Sequence, residues 1–428
     1  MGATDARAPA SAGRPLLVKK FGGTSVSSLE RMREVARLAS ESRRAGNDVV
    51  VVVSAMSGET DRLLSLARKA QPLPDLREVD VVAATGEQVS CALVAMCIQA
   101  LDGQACSLLG HQLPVLTDGA FGAARIQMVA RERIDQALAQ GKIPVVAGFQ
   151  GVDGSGNITT LGRGGSDASA VALAAVLGAT ACEIYTDVEG IYTADPRVIP
   201  AARKLPTISY DEMLEMASLG ARVLQARSVE IAMRHEVPLH VRSSFSSKPG
   251  TWVTSRDEQP LETRGPTGVV SARGQVQVVL AGLPSRESLL ADVTGLLAAR
   301  CASVDMLAHT VRGAGGALVD ITFTLPEGDL DRTREALEQL VASLREGEML
   351  VSSRLARVSI VGIGVRSDPR IAAHLCRSLA GHGIAVRGLV VGELRMTCLV
   401  DEDATDRAVQ LLHDAFDLSA EHAAVGQP

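Results

Sequence analysis

The sequence predicts an α/β protein: a three-layer sandwich around a mostly parallel central sheet, followed by a C-terminal pair of ferredoxin-like modules. Three observations predict it. From Leu16 to Val253, short β-branched apolar runs alternate with stretches of helical periodicity, the pattern of strands covered on both faces by helices. Composition then turns polar over Ser255 to Pro266 (SRDEQPLETRGP), where Pro260 and Pro266 mark a linker. Beyond it, a strand-helix-strand-strand-helix succession occurs twice, the order of ferredoxin-like modules and of small amino-acid-sensing domains. The expected organisation is a flexible tail over 1–15, the α/β domain over 16–255, a linker over 256–268, and modules over 269–350 and 351–428.

Composition narrows the function classes. Of the 428 residues, 46% are hydrophobic, 21% charged and only 2% aromatic, with a formal charge of −6. There is no basic footprint and no supply of stacking platforms, so nucleic acid is not an expected partner. The longest apolar run, inside Ala168 to Ala181, is shorter than the roughly 18 residues a membrane span needs, and no membrane association is expected. The first fifteen residues lack the apolar core of a signal peptide, and the seven cysteines include no Cys-x-x-Cys pair, which places the chain in a reducing cytoplasm. None of the eight histidines forms a His-x-x-x-His pair; a divalent metal is expected to arrive on a phosphate ligand, with no metal site built by the protein.

The first strand, Leu16 to Lys20, stops at Phe21-Gly22-Gly23-Thr24-Ser25. Two glycines permit close backbone approach and Lys20 adds a mobile charge beside their amides, which reads as a phosphate cradle or as a tight turn. A helix follows, with Leu29, Met32, Val35, Ala36 and Leu38 on one face. Asp48 to Ser54 (DVVVVVS) is a strand buried on both faces, and it leads into the polar loop Ser54 to Thr60 at the sheet edge where ligands bind. The long helical pattern from about Val79 to Leu101 holds Thr85-Gly86-Glu87 in apolar surroundings. A carboxylate there meets a substrate ammonium or a lysine, or reaches solvent from the helix edge. A strand near 105–109, a helix over 124–139 and a buried strand over 143–149 (IPVVAGF) come next, then the turn Asp153-Gly154.

Thr159 to Ala179 (TTLGRGGSDASAVALAAVLGA) is a glycine loop feeding a buried helix, with Ser166 as its cap and Asp167 in its first turn. Such a junction is an anion site, because first-turn amides point outward and the peptide dipoles add positive charge; it is equally a capped helix after a turn. The next strand, Cys182 to Thr186, opens into Asp187 to Arg197, a turn-rich loop with acceptors, Tyr192 and Arg197, groups suited to ribose and base. Helices are expected over 210–217 and 219–234, and a strand over 239–242. In the C-terminal part, strands are expected over 276–281, 303–308, 317–325, 358–361, 384–391 and 394–400, and helices over 288–300, 330–344, 369–381 and 404–416.

Five stretches in order, KFGGTS (20–25), TGEQVS (85–90), GFQG (148–151), TLGRGGSD (160–167) and TDVEGIYTADPR (186–197), give the chain its resemblance to the aspartate kinases (aspartokinases) from about Leu16 to Phe416. That resemblance implies an amino-acid-kinase fold with two ACT regulatory domains, and ATP-dependent phosphorylation of the L-aspartate side chain, with magnesium carried by ATP. It further implies that Lys20, Gly22 and Gly23 meet the ATP phosphates, with Asp167 completing the catalytic set. Ser54, Thr60, Glu87, Phe149, Arg163 and Ser166 would line the aspartate site, and Thr186, Asp187, Tyr192, Asp195, Arg197 and Arg222 the nucleotide. A homodimer or higher homo-oligomer through the ACT domains is the expected assembly. A carboxylate acceptor is already ionised at neutral pH, so no activating histidine is required.

Three departures from the family pattern stand out. Leu219-Gly220-Ala221-Arg222 has arginine where a nucleotide-reaching lysine is usual. Gly282 to Ser288 (GLPSRES) replaces an Asp-x-Pro-Gly turn, with Ala308-His309 further on in place of Gln-Asn, and Ser367-Asp368-Pro369-Arg370 has arginine for glycine. Loss of fixed amides and of backbone access in these turns leads to the expectation of weakened or altered feedback inhibition by lysine or threonine. Arg286 and Arg370 are alternatively exposed charges in ordinary loops. The competing readings are a kinase of the same fold for another acidic substrate, and a non-catalytic amino-acid-binding regulator.

Overall fold

The computed structural model describes residues 14–221, 223–255, 265–312 and 316–419. Arg222, most of the tail expected over 1–15 and most of the linker expected over 256–268 lie outside the described residues. The chain packs as two units, the first comprising the chain to Ile191, Lys204–Ser218 and Arg222–Glu262, the second Tyr192–Arg203, Leu219–Ala221 and the chain from Thr263.

In the first unit the strands are β1 (Leu16–Phe21), β2 (Asp48–Val53), β3 (Ala105–Leu108), β4 (Val115–Thr117), β5 (Ile126–Val129), β6 (Ile143–Ala147), β7 (Gln150–Val152), β8 (Ile158–Thr160), β9 (Ala181–Thr186), β10 (Thr207–Ser209), β11 (Leu239–Ser243) and β12 (Thr251–Thr254). The helices are α1 (Leu29–Arg44), α2 (Glu59–Ala70), α3 (Leu76–Gln99), α4 (Glu132–Ala139), α5 (Gly165–Leu177), α6 (Tyr210–Leu219) and α7 (Ala226–His235). Eight strands form the main sheet in the order β10-β12-β11-β9-β1-β2-β6-β3. Its pairs are parallel except β11 with β12, as the βαβ alternation requires. Five consecutive valines of β2 are buried, so the run is covered on both faces.

Strand periodicity assigns the two adjacent lysines of β1 to opposite faces. Lys19 pairs with Glu183 (2.6 Å) on the face that also carries Tyr185, whereas Lys20 meets Asp167 of α5. The core under α1 and α3 gathers Phe21, Met32, Val35, Val49, Val51, Val53 and Ile98. Helix α3 is long and apolar enough to cross a membrane by length and composition, but half of that window is buried inside the protein.

Two expectations in this unit are corrected. The stretch 124–139 is not one helix: Ile126–Val129 is a strand pairing antiparallel with the three-residue β4, and α4 begins at Glu132. Antiparallel pairing with the short strand just before it in the chain overrides local helical preference there. The helix expected from Leu219 begins instead at Ala226, because Gly220 takes φ +120°, a conformation that ends α6.

The second unit holds one six-stranded antiparallel sheet, β14-β15-β13-β16-β18-β17, built from β13 (Gly268–Pro284), β14 (Asp305–Arg312), β15 (Leu318–Pro326), β16 (Glu348–Val361), β17 (Gly388–Val391) and β18 (Arg395–Asp401). Helices α8 (Leu289–Ala299), α9 (Glu327–Leu344), α10 (Pro369–Ala380) and α11 (Thr405–Ala415) complete it. The doubled strand-helix pattern is present, with one difference. β13 and β16 are far longer than expected and pair along their lengths with register shifts between Ala272 and Gln277, so the boundary expected at 350/351 falls inside an unbroken strand. Each half keeps its own core, one around Phe323, Leu280 and Leu337, the other around Ile360, Leu375 and Leu412. The latter also takes in Ala194 and Ile199.

Candidate active site

At the carboxyl edge of the main sheet of the first unit, a cavity of about 340 Å³ is lined by Lys20, Gly23, Ser54, Thr60, Glu87, Phe149, Arg163, Ser166 and Asp167 among others. These positions span nearly 150 residues of chain, and the sheet brings them together because β1, β2 and β6 are parallel and end on the same edge.

β1 ends in Gly22 and Gly23, and a single turn of 3₁₀ helix (Gly23–Val26) follows. A side chain at Gly23 would start 3.0 Å from Ala55 O, so only glycine leaves this approach open. The Lys20 ammonium lies 2.6 Å from Asp167 Oδ1, with both side chains about nine-tenths buried. This is an ion pair without hydrogen-bond alignment, since Oδ1 has no hydrogen-bond partner among the described residues. The pair holds a positive charge at the mouth of the glycine turn.

Asp167 and Ser166 sit in the first turn of α5. The expectation that Ser166 caps this helix is corrected: the cap is Gly164, with φ +74° and no side-chain hydrogen bond, and Ser166 lies inside the helix. Ser166 packs so closely on Gly148 that a Cβ there would stand 2.9 Å from its own. Two first-turn amides are already engaged, Gly165 N with Gly162 O and Asp167 N with Gly164 O, so the helix end offers less to an anion than a bare terminus would. Arg163 is exposed at the cavity rim.

Glu87 is the other notable charge. It comes from the middle of α3 and is 3% exposed. Its Oε1 accepts from Ala55 N at 2.9 Å, while Oε2 is buried with no hydrogen-bond partner among the described residues. Burial raises its pKa to about 7. A buried carboxylate oxygen left open in this way calls for a cation. Phe149, between β6 and β7, takes φ +67°, uncommon for a non-glycine residue. It is fixed there by Phe149 N donating to Ser169 Oγ and Leu161 N donating to Phe149 O.

Of the described residues expected at the nucleotide, Thr186, Asp187, Tyr192, Asp195 and Arg197 are not among those lining the cavity. Thr186 ends β9 and donates to Asp187 Oδ1 at 3.0 Å. Tyr192, Asp195 and Arg197 belong to the segment Tyr192–Arg203, which packs with the second unit. Asp195 and Arg197 pair with each other at 2.7 Å. Gln225, just before α7, lines the cavity and abuts Gly164; nothing in its local sequence marks it.

The residues present suit a magnesium-bound nucleoside triphosphate. At Gly23 a Cβ would crowd Ala55 O at 3.0 Å, and Lys20 supplies a fixed ammonium beside the glycine turn.

The amino acid kinase family model matches residues 15–243, and an ACT domain model matches residues 358–416. The aspartokinase of Mycolicibacterium smegmatis is 46% identical over 412 residues, covering 96% of this chain and 98% of that protein. That of Pseudomonas aeruginosa is 44% identical over 406 residues, covering 95% and 98%. Among solved structures, Escherichia coli aspartokinase III in complex with aspartate and ADP (R-state) superposes with a TM-score of 0.79 at 26% identity, covering 94% of this chain and 100% of that one. The same enzyme with lysine and aspartate (T-state) gives 0.74, covering 94% and 99%.

Proposed function

The chain belongs to the aspartokinase family, and on that premise we propose that it transfers the terminal phosphoryl group of ATP to the side-chain carboxylate of L-aspartate, giving 4-phospho-L-aspartate. A carboxylate oxygen bonds to the γ-phosphorus as the bond to the bridging oxygen breaks, and ADP leaves with that electron pair. The observation that carries the reading is one cavity holding a fixed ammonium beside a glycine turn and a buried carboxylate with an open oxygen.

Lys20 and the Gly23 amide attract the phosphoryl oxygens, and Asp167 keeps the ammonium aimed. Gly22 N donates to Tyr185 O at 3.3 Å, so Gly22 serves by leaving the backbone open. Glu87 Oε2 receives the substrate ammonium, while Arg163 grips the α-carboxylate as a planar fork. Ser54, Thr60, Phe149 and Ser166 close the remaining wall. Thr186, Asp187, Tyr192, Asp195 and Arg197 serve the nucleotide, with Arg222 in the same role. Magnesium on the nucleotide offsets the charge of the phosphate oxygens.

The test is a hydroxamate assay with ATP, magnesium and a panel of acidic acceptors. Aspartate should give by far the highest kcat/KM. A preference for glutamate or an N-acylated acid would move the assignment to another acceptor, and no turnover with any of them would favour the non-catalytic regulator.

We further propose that control by lysine or threonine is weakened. Arg370 supports this: its guanidinium occupies the carboxylate of Asp368, which also caps α10 by accepting from Arg370 N. Arg286 likewise pairs with Asp292 in the first turn of α8 at 2.6 Å, at the end where an effector carboxylate would need free donors. The exposed edge strand β14 supports assembly through the C-terminal unit as a homodimer or higher oligomer. Activity should fall less than about twofold with lysine, threonine or both at millimolar concentration, and sedimentation velocity should show no monomer at micromolar protein. Half-maximal inhibition at low micromolar effector would refute the first part, and a monomer the second.

A further inference from the structure

The backbone delivering Gly162 and Arg163 to the cavity enters through Thr160 and Leu161, and every polar group of those two peptides has a partner from another element. Thr160 N donates to Asp80 Oδ2 at 2.8 Å and Thr160 Oγ1 to Asp80 Oδ1 at 2.7 Å. Thr160 O accepts from Ala124 N, and Leu161 N donates to Phe149 O, both at 2.9 Å. Leu161 O accepts from Arg227 Nη1 at 3.0 Å, while Nη2 of the same guanidinium reaches Ala124 O at 3.0 Å. Gly122 N also donates to Asp80 Oδ2, at 2.9 Å.

Asp80 is 1% exposed and does not line the cavity. It lies on α3 two turns before Glu87, so both carboxylates share one face of the helix. Each closes on a different loop: Glu87 on Ala55, Asp80 on Thr160 and Gly122. The loop after Leu161 contains Gly162 and Gly164 at φ +72° and +74°, and glycines in such a segment are costly to order unless its entry is fixed. A buried carboxylate is also expensive to keep unless fully hydrogen-bonded. Asp80 meets that condition through donors that belong to the substrate loop and its neighbour.

We propose that Asp80 is a positioning residue for the amino-acid acceptor: from α3 it sets the entry of the Gly162–Gly164 turn, and with it the reach of Arg163. The proposal rests on the aspartokinase reading. It separates two substrates, because the anchor bears on the acceptor loop and not on the Gly22–Gly23 turn.

Steady-state kinetics on the full-length chain test it with Asp80→Ala, Asp80→Asn and Thr160→Val. Asp80→Ala should raise the aspartate KM by about tenfold or more, with the ATP KM held within about twofold. Asp80→Asn should stay near the parent: its amide oxygen accepts from both backbone N–H groups, and its NH₂ donates to the Thr160 hydroxyl, which reverses its role. Thr160→Val removes one hydrogen bond and should raise the aspartate KM about threefold. An unchanged aspartate KM, an equal rise in both KM values, or an asparagine variant as impaired as alanine would overturn the proposal. If Asp80→Ala does not fold, an unaltered aspartate KM in Thr160→Val overturns it. A parent protein inactive on aspartate would remove the functional reading itself, whereas an active parent with unaffected variants removes only the role of Asp80.

Discussion

Replacing Lys20 with alanine should lower kcat by two to three orders of magnitude, equivalent to about 3 kcal/mol in the barrier, the size expected when one preorganised transition-state donor is lost. Lys20 is 9% exposed and held 2.6 Å from Asp167, so its charge is in place before the phosphoryl group moves. Its removal also strands a largely buried carboxylate, and breaking such a pair costs stability as well. The two effects separate in a double variant. Lys20→Met with Asp167→Asn removes both charges and should recover most of the lost thermal stability, yet none of the activity. If Lys20→Ala keeps near-normal turnover, or if restoring stability restores rate, Lys20 is a structural lysine and the assignment fails.

The second large effect is expected from Glu87→Gln, and its sign differs between function and stability. If Glu87 receives the substrate ammonium, its neutral isostere should raise the aspartate KM by about a hundredfold, as for loss of one partner of a buried charge pair. In the ligand-free protein the opposite holds. Burial raises the pKa of Glu87 from 4.5 to about 7, so the folded state prefers the proton. The penalty for ionising it is absent below the unfolded value, grows between pH 4.5 and 7 and is complete above. Glu87→Gln should therefore be more stable than the parent at pH 8, on the order of 3 kcal/mol, and equal to it near pH 4. Thermal melts at the two pH values check this. The parent's aspartate KM should also rise as pH falls below 7, a dependence absent from the variant. A pH-independent KM in the parent would place the substrate ammonium elsewhere.

Much of this was legible in the chain. The valine run of β2, the glycine turn after β1 and the helix after Gly164 are where local pattern places them, because strand burial, the lack of side chains in a glycine pair and helical periodicity are properties of neighbouring residues. Nine of the expected site residues line one cavity; the resemblance named them as a set, while local pattern by itself marked only such positions as Lys20 at the end of β1 and Glu87 inside an apolar helix, where a charge needs a partner. The cap at Ser166 was misplaced because a serine after two glycines satisfies the local rule for a cap, while Gly164 alone satisfies the conformation.

The sequence by itself thus determined the alternation of strands and helices, the glycine turns and the candidate chemistry, all set by interactions a few residues apart. Only the tertiary structure decided which of two adjacent lysines meets Asp167, and that Asp80 anchors Thr160 eighty residues away. It also decided that Tyr192–Arg203 packs with the C-terminal unit, where Thr193 hydrogen-bonds His413 at 2.9 Å, and that β13 and β16 run as shared strands through both halves of that unit. The physical reason is the same in each case. A buried charge or an unpaired strand edge must find a partner, but the partner is chosen by the path of the whole chain, and no local pattern carries that choice.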